Sequence, residues 1–227
     1  MTVTLITGAN RGIGHEAARQ LVALGHQVYV GARDPERGER AAAEIGARFV
    51  QLDVTDDASV ASALATIESE EGHLDVLVHN AGILTDEVDG PTALRVFDTN
   101  AVGIVRVTEA ALPLLRRSSH AVVVTVSSSM GSFWAVTNPE RMEYSVPAAL
   151  YAASKAAATM LTLQYAKAEP TIKFNALEPG FTDTELTAGM PGGRPVEISA
   201  KTVVELATIG ADGPTGTLQD ESGVLPW

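Results

Sequence analysis

Tyr151 and Lys155 stand four residues apart in an alanine-rich stretch, Ala148–Ala168, that reads as a helix. Residues four apart share a helical face, so the phenol and the ammonium are neighbours. A free phenol has a pKa near about 10, too high for a good base at neutral pH. A nearby ammonium favours the phenolate, and each unit by which the phenol pKa falls corresponds to roughly 1.4 kcal/mol. Such a pair can give a proton to an oxygen or take one from it. Taken alone, Tyr-x-x-x-Lys is more often a surface pair. Ser127, Ser128 and Ser129 follow an apolar run ending at Val126. A hydroxyl there can hydrogen-bond a reacting oxygen or simply serve a turn or cap. Tyr144 is a rival phenol, but no lysine follows it four residues later.

A second pattern supplies a place for phosphate. Thr7-Gly8-Ala9-Asn10-Arg11-Gly12-Ile13-Gly14 follows the first apolar run and opens the first helical pattern. Gly8 can take a turn conformation closed to other residues. Gly12 lets the backbone approach a pyrophosphate, and Gly14 permits close helix–sheet packing. The helix start offers unpaired N–H groups and positive potential. Glycines near a helix start are often only turn residues; here the strand–turn–helix context is the one a dinucleotide site requires.

These residues need elements to position them. Thr2–Thr7, Gln27–Gly31, Arg48–Leu52, Leu74–His79, Ala121–Val126 and Ile172–Ala176 read as buried strands, with Thr215–Gln219 a weaker last one. Helical patterns lie between them at Ile13–Leu24, Pro35–Ile45, around Val60, Leu64 and Ile67, Pro91–Arg116, Ala148–Ala168 and Val196–Ile209. Asn100 and Gly103 predict a kink within Pro91–Arg116. The β-α rhythm implies an α/β fold with a doubly wound, mostly parallel sheet and helices on both faces. Ligands of such sheets bind beyond the carboxyl ends of the strands, where the polar motifs fall. No repeat or interdomain linker appears, and residues 1–227 read as one domain. Gly189–Pro195 reads as a mobile loop beside the site.

The glycine pattern departs from Gly-x-Gly-x-x-Gly and resembles the Thr-Gly-x-x-x-Gly-x-Gly of the short-chain dehydrogenase/reductase family. The resemblance spans nearly the whole chain. Asn80-Ala81-Gly82 matches that family's Asn-Asn-Ala-Gly motif, with His79 in place of its first asparagine. Ser128, three residues before Gly131, together with Tyr151 and Lys155 matches the catalytic trio, and Asn100 matches the asparagine of the long fourth helix. Pro179-Gly180 followed by Thr184 matches the segment at the nicotinamide end. Five motifs in the family's order are far more specific than any one alone.

The resemblance implies a Rossmann-like oxidoreductase that moves a hydride between a nicotinamide and a small-molecule carbonyl or alcohol. It makes Tyr151 the acid–base and places Ser128 on the substrate oxygen. Lys155 would hold the ribose hydroxyls, and Asn100 a water linked to Lys155. The implied cofactor contacts are Gly8, Asn10, Arg11, Gly12, Ile13, Gly14, Arg33, Asp53, Val54, Asn80, Ala81, Gly82, Tyr151, Lys155, Pro179, Gly180, Thr182 and Thr184. Where NAD enzymes of the family carry an acid, this chain has Ala32, followed by Arg33. Arg33 can pair with a 2′-phosphate and stack on adenine, and Arg11 can reach the same phosphate. NADP(H) is therefore the expected cofactor. Asp34 could pair with Arg33 and weaken that site, or cap the helix opened by Pro35. The family usually pairs subunits through helices 91–116 and 148–168, implying a homodimer or homotetramer. Residues 132–150, about ten residues longer than in compact members, form an insertion that could block that surface. Phe133, Trp134, Met142 and Tyr144 within it are expected to line the substrate pocket. Glu178 could contact substrate or cofactor, but reads rather as a hydrogen-bonded structural acid.

Two other readings stay open. A non-catalytic NADP-sensing protein would keep the glycine turn and Arg33 but would not need Ser128, Tyr151 and Lys155. An epimerase or dehydratase of the same fold usually has a substrate subdomain for which there is no room.

Composition narrows the rest. The net charge of −12 repels nucleic acid and anionic membranes at long range. No apolar run approaches the roughly 20 residues of a membrane helix, and the first is too short for a signal peptide. The expectation is a soluble cytoplasmic protein. The absence of cysteine excludes thiol chemistry and disulfides. His15, His26, His73, His79 and His120 show no metal-ligand spacing, so no metal is expected.

Overall fold

The computed structural model describes residues 1–227. Eight strands form one sheet: β1 (Val3–Thr7), β2 (Gln27–Ala32), β3 (Arg48–Gln51), β4 (Val76–His79), β5 (Val122–Val126), β6 (Lys173–Leu177), β7 (Thr217–Asp220) and β8 (Gly223–Val224). Their order across the sheet is β3-β2-β1-β4-β5-β6-β7-β8. The first seven are parallel, and β8 turns back antiparallel along β7. The short β8 was not evident in the sequence, since two residues carry no alternation.

The helices are α1 (Gly12–Ala23), α2 (Pro35–Ile45), α3 (Asp57–Glu71), α4 (Gly90–Phe97), α5 (Gly103–Leu115), α6 (Phe133–Thr137), α7 (Ala149–Ala168) and α8 (Val196–Ala207). Side chains alternating along each strand feed two cores. Val3, Leu5, Leu77, Val123 and Phe174 pack with Val60, Leu64 and Ile67 of α3 and Val107, Ala111 and Leu115 of α5. On the other face Ile6, Val28, Val78 and Val124 pack with Ala17, Ala18 and Leu21 of α1 and Ala200, Val203 and Leu206 of α8. This is the doubly wound, Rossmann-like α/β fold expected. No helix is long and apolar enough to cross a membrane.

Two details matter for the site. The helical pattern over 91–116 is interrupted at Asp98–Val102 by a π-helical turn, which carries Asn100. The predicted kink is thus a local change in hydrogen-bond spacing between α4 and α5, the form such insertions often take. Second, the chain winds from β1 out to β3 and then crosses back to β4. The crevice between the carboxyl ends of β1 and β4 is the topological switch point, where such folds place ligands.

Candidate active site

A cavity of about 230 Å³ opens at that switch point. Gly8, Asn10, Arg11, Gly12, Ile13, Arg33, Asp53, Val54, Asn80, Ala81, Gly82, Tyr151, Lys155, Pro179 and Thr184 line it. Gly14, Asn100, Ser128, Gly180 and Thr182, also singled out from the sequence, are not on its wall.

Gly8 and Gly12 adopt positive φ values of 64° and 58°, which carry the chain through the turn between β1 and α1. At the start of α1, Arg11 makes no side-chain cap and the first turn holds no acidic residue. The opening N–H groups thus lack a side-chain acceptor on the cavity side, the arrangement that binds phosphate. The β4 end is stitched to this turn. Asn80 and Ala81 donate their backbone N–H groups to Thr7 Oγ1 at 3.0 and 3.1 Å. Asn80 Nδ2 donates to the carbonyls of Thr7 and Gly8, both at 3.0 Å. The space at Gly14 goes to this asparagine, since a Cβ there would lie 2.3 Å from Asn80 Nδ2. His79 is buried, pairs with Thr108 Oγ1 at 2.9 Å, and is pushed down by burial to a pKa of about 3. It is a neutral packing residue.

The serine, phenol and ammonium converge beside Val126. Ser128 Oγ accepts from the Met130 N–H at 3.2 Å and stands near the Tyr151 phenol. Lys155 Nζ donates to the Val126 carbonyl at 2.7 Å and stands 5.7 Å from the centroid of the Tyr151 ring. Ser127 lines the cavity, and its hydroxyl is engaged with Thr159 Oγ1 at 2.6 Å and donates to the Lys155 carbonyl at 3.1 Å. Asn100 accepts from the Ile83 N–H at 2.8 Å and donates to the Ile83 carbonyl at 2.8 Å and to Ser154 Oγ at 3.0 Å. Its side chain fixes the segment after Gly82 rather than touching Lys155.

The electrostatics correct one expectation. The sequence suggests that Lys155 pulls the phenol down, yet the Tyr151 phenol is raised well above its ordinary value. Burial is the main cause, the Glu178 carboxylate adds to it, and the Ser128 hydrogen bond opposes it. Lys155 is itself buried, which lowers its pKa to about 8, with Glu178 working the other way. Desolvation penalises both charged forms, and a spacing rule does not contain it. Asp53 is burdened by burial, but hydrogen bonds from Thr55 and the nearby Arg33 and Arg106 hold its carboxyl below the usual range.

Close packing of α7 on the serine segment depends on Gly131. A Cβ there would lie 2.6 Å from the Lys155 carbonyl carbon and 2.7 Å from the Ala156 nitrogen. Gly131→Ala is expected to destabilise the chain by about 1–3 kcal/mol through overpacking against backbone. A urea midpoint equal to that of the unaltered chain would contradict this.

At the adenosine end, Asp34 does not pair with Arg33. It caps α2 by accepting from the Arg37 N–H at 3.1 Å and faces the Arg37 guanidinium at 3.6 Å. Arg33 makes no ion pair with any acidic side chain. Arg11, by contrast, forms an ion pair with Glu185 across the cavity mouth. Leu186 and Glu185 join the wall without having been singled out; the partner of Glu185 lies 174 residues away and leaves no local signal.

The segment after β6 is fastened. Thr182 Oγ1 bonds the Gly180 carbonyl at 2.7 Å and Ser199 Oγ at 2.6 Å. The 189–195 loop, read as mobile, is tied at Arg194. Its backbone bridges Thr182, and its guanidinium reaches Ser199 Oγ at 3.0 Å, Glu221 and the Pro179 carbonyl. The insertion differs more sharply from expectation. Phe133, Trp134, Met142 and Tyr144 are exposed and are not on the cavity wall. The insertion packs on the C-terminal tail: Trp134 N donates to the Trp227 carbonyl at 2.9 Å and Ser132 Oγ to the Pro226 carbonyl at 2.6 Å. Arg141 stacks over Trp134.

Comparison with known proteins agrees with this geometry. The family model for short chain dehydrogenase matches residues 2–193. The chain is 33% identical to a short-chain dehydrogenase/reductase of Stachybotrys chlorohalonatus, covering 99% of this chain and 94% of that one. It is 30% identical to salutaridine reductase of Papaver bracteatum, covering 97% and 94%. Among solved structures, NADPH-bound carbonyl reductase from chicken fatty liver superposes with a TM-score of 0.87 at 27% identity, over 100% of both chains. A motif set in the right order, a matching crevice and these similarities lead to one conclusion: the chain belongs to the short-chain dehydrogenase/reductase family of oxidoreductases.

Proposed function

We propose that the chain is an NADP(H)-dependent oxidoreductase acting on a carbonyl or alcohol, with Tyr151 as its acid–base. The observation that carries this reading is the convergence of the Ser128 hydroxyl, the Tyr151 phenol and the Lys155 ammonium beside the switch-point cavity. The uncapped start of α1 and the positive-φ turn suit a pyrophosphate. When bound, the nicotinamide supplies the hydride or takes it up.

The protein's own groups do the rest. Ser128 orients the substrate oxygen toward Tyr151. In reduction the phenol gives its proton to that oxygen, and the neighbouring Lys155 ammonium steadies the phenolate left behind. In oxidation the transfers reverse. Because the phenol is raised, it holds its proton through the neutral range. The sign follows: reduction, which needs the acid, is supported at and below neutral pH, and oxidation, which needs the base, grows as pH rises. A panel of aldehydes and ketones with NADPH and with NADH tests this reading. Cofactor binding without turnover across a broad panel would count against it.

The preference for NADP(H) rests on Arg33, which follows Ala32 at the end of β2 and has no carboxylate partner. The chicken carbonyl reductase, to which the chain is similar, was crystallised with NADPH. Arg33→Ala is expected to raise the KM for NADPH roughly 10- to 100-fold, the loss of a charge-assisted contact, and to leave the KM for NADH nearly unchanged. Equal changes for both cofactors would overturn the assignment.

A further inference from the structure

Glu178 follows β6 and precedes Pro179. One carboxylate oxygen accepts the Ser129 N–H and the other accepts the Gly180 N–H at 2.7 Å. A single side chain thereby joins the residue after Ser128 to the turn after Pro179. Its negative charge also bears on both Tyr151 and Lys155 of α7.

The other charged groups around it belong to the insertion, to β7 and to the 189–195 loop, whose Arg194 bonds the Pro179 carbonyl and pairs with Glu221. Arg141 feels both Glu178 and Asp220 and is paired with the buried Glu143 at 2.8 Å. Glu143 in turn lies near the side chain of Ser129. Ser129 is held at its backbone by Glu178. The Arg141 charge is largely committed to Glu143.

We propose that Glu178 is a positioning residue that locks the Ser128 segment to the Pro179–Gly180 turn and holds a carboxylate charge beside Tyr151 and Lys155. This rests on the oxidoreductase reading given above. A negative charge disfavours the phenolate and favours the ammonium, so both effects maintain one state: phenol protonated, lysine charged. That is the state that reduces a carbonyl, because the phenol proton passes to the substrate oxygen while its carbon receives the hydride. Glu178 thus tilts the site toward reduction. A plain loop staple would fasten the same backbone groups without moving any titration.

The test uses the intact chain, Glu178→Gln and Glu178→Asp. The chain has only four lysines, Lys155, Lys167, Lys173 and Lys201, so carbon-13-labelled lysine resolves each by NMR, and Lys155→Met assigns the signal of interest. In Glu178→Gln, Lys155 is expected to titrate about one pH unit lower. The alkaline limb of kcat for carbonyl reduction should move down with it, at an unchanged KM for NADPH. Glu178→Asp keeps the charge but draws it back by one methylene, so a smaller downward displacement is expected. An unmoved Lys155 midpoint in folded Glu178→Gln would overturn the proposal, as would a raised KM for NADPH with an unmoved pH profile. If Glu178→Gln fails to fold, an unmoved or raised midpoint in Glu178→Asp overturns it instead. Absence of turnover in the unaltered chain would sink the oxidoreductase reading alone, and the lysine titration would still decide the role of Glu178.

Discussion

Tyr151→Phe is expected to lower kcat for carbonyl reduction by roughly a thousandfold, within the range by which a positioned acid–base accelerates proton transfer, while NADPH binding stays nearly unchanged. The substitution removes one oxygen and leaves the ring. The ring's packing, its distance from Lys155 and the cavity wall therefore persist. Ser128 can still hold the substrate oxygen, so the defect should fall on kcat rather than on the substrate KM. Stopped-flow measurement of NADPH oxidation separates the two, and fluorescence titration reports cofactor binding. A phenylalanine variant with undiminished kcat would end the assignment of the phenol as proton donor.

Lys155→Met is expected to abolish most turnover and yet raise the melting temperature. Lys155 is buried, its charged form is disfavoured, and it makes one hydrogen bond, to the Val126 carbonyl. Its pKa of about 8 lies below the ordinary lysine value of 10.5. Below pH 8 both folded and unfolded chains carry the proton, and the folded chain bears the full burden of the buried charge. Between the two values the folded chain releases the proton while the unfolded chain still holds it, so the burden is relieved as pH rises. At neutral pH that burden is on the order of 3 kcal/mol. Loss of the hydrogen bond gives back about 1 kcal/mol. A net gain of about 2 kcal/mol corresponds to a rise of roughly 4–8 °C for a chain of this size. Calorimetry at pH 7 and pH 10 checks both parts: the gain should be large at the lower pH and small at the higher. A variant melting below the unaltered chain at pH 7 would show that the ammonium is not a stability burden.

Much of this site could be read along the chain because its signals are local. The glycine turn needs only the strand before it and the helix after it. Asp34 with Pro35 reads as a helix start, and the structure makes it one, with Asp34 capping the helix rather than pairing with Arg33. The kink at Asn100 could be expected from an asparagine and a glycine inside an apolar helix. Its π-helical form could not, because the turn is completed by Asn100 bonding the backbone of Ile83, a tertiary contact. Distance along the chain explains the other gaps. Arg11 meets Glu185, and Trp134 meets Trp227, with no pattern linking the pairs. The aromatic residues of the insertion suggested a pocket wall by composition, whereas the tail holds that insertion on the surface. The phenol's elevated pKa arises from burial, which a Tyr-x-x-x-Lys spacing cannot express.

The two rims of the sheet have a consequence for solution behaviour. Exposed strand edges are templates on which other chains add by backbone pairing, the first step of aggregation. Here one rim is β8, only two residues long, and the other is the four-residue β3. Arg48 on β3 is engaged with Glu70 and Glu71 at 2.7 Å, which sets charge along that margin. Neither margin offers the long, flat, apolar ladder that fibril growth requires, so the β-rich interior is shielded from propagating into neighbouring molecules at high concentration.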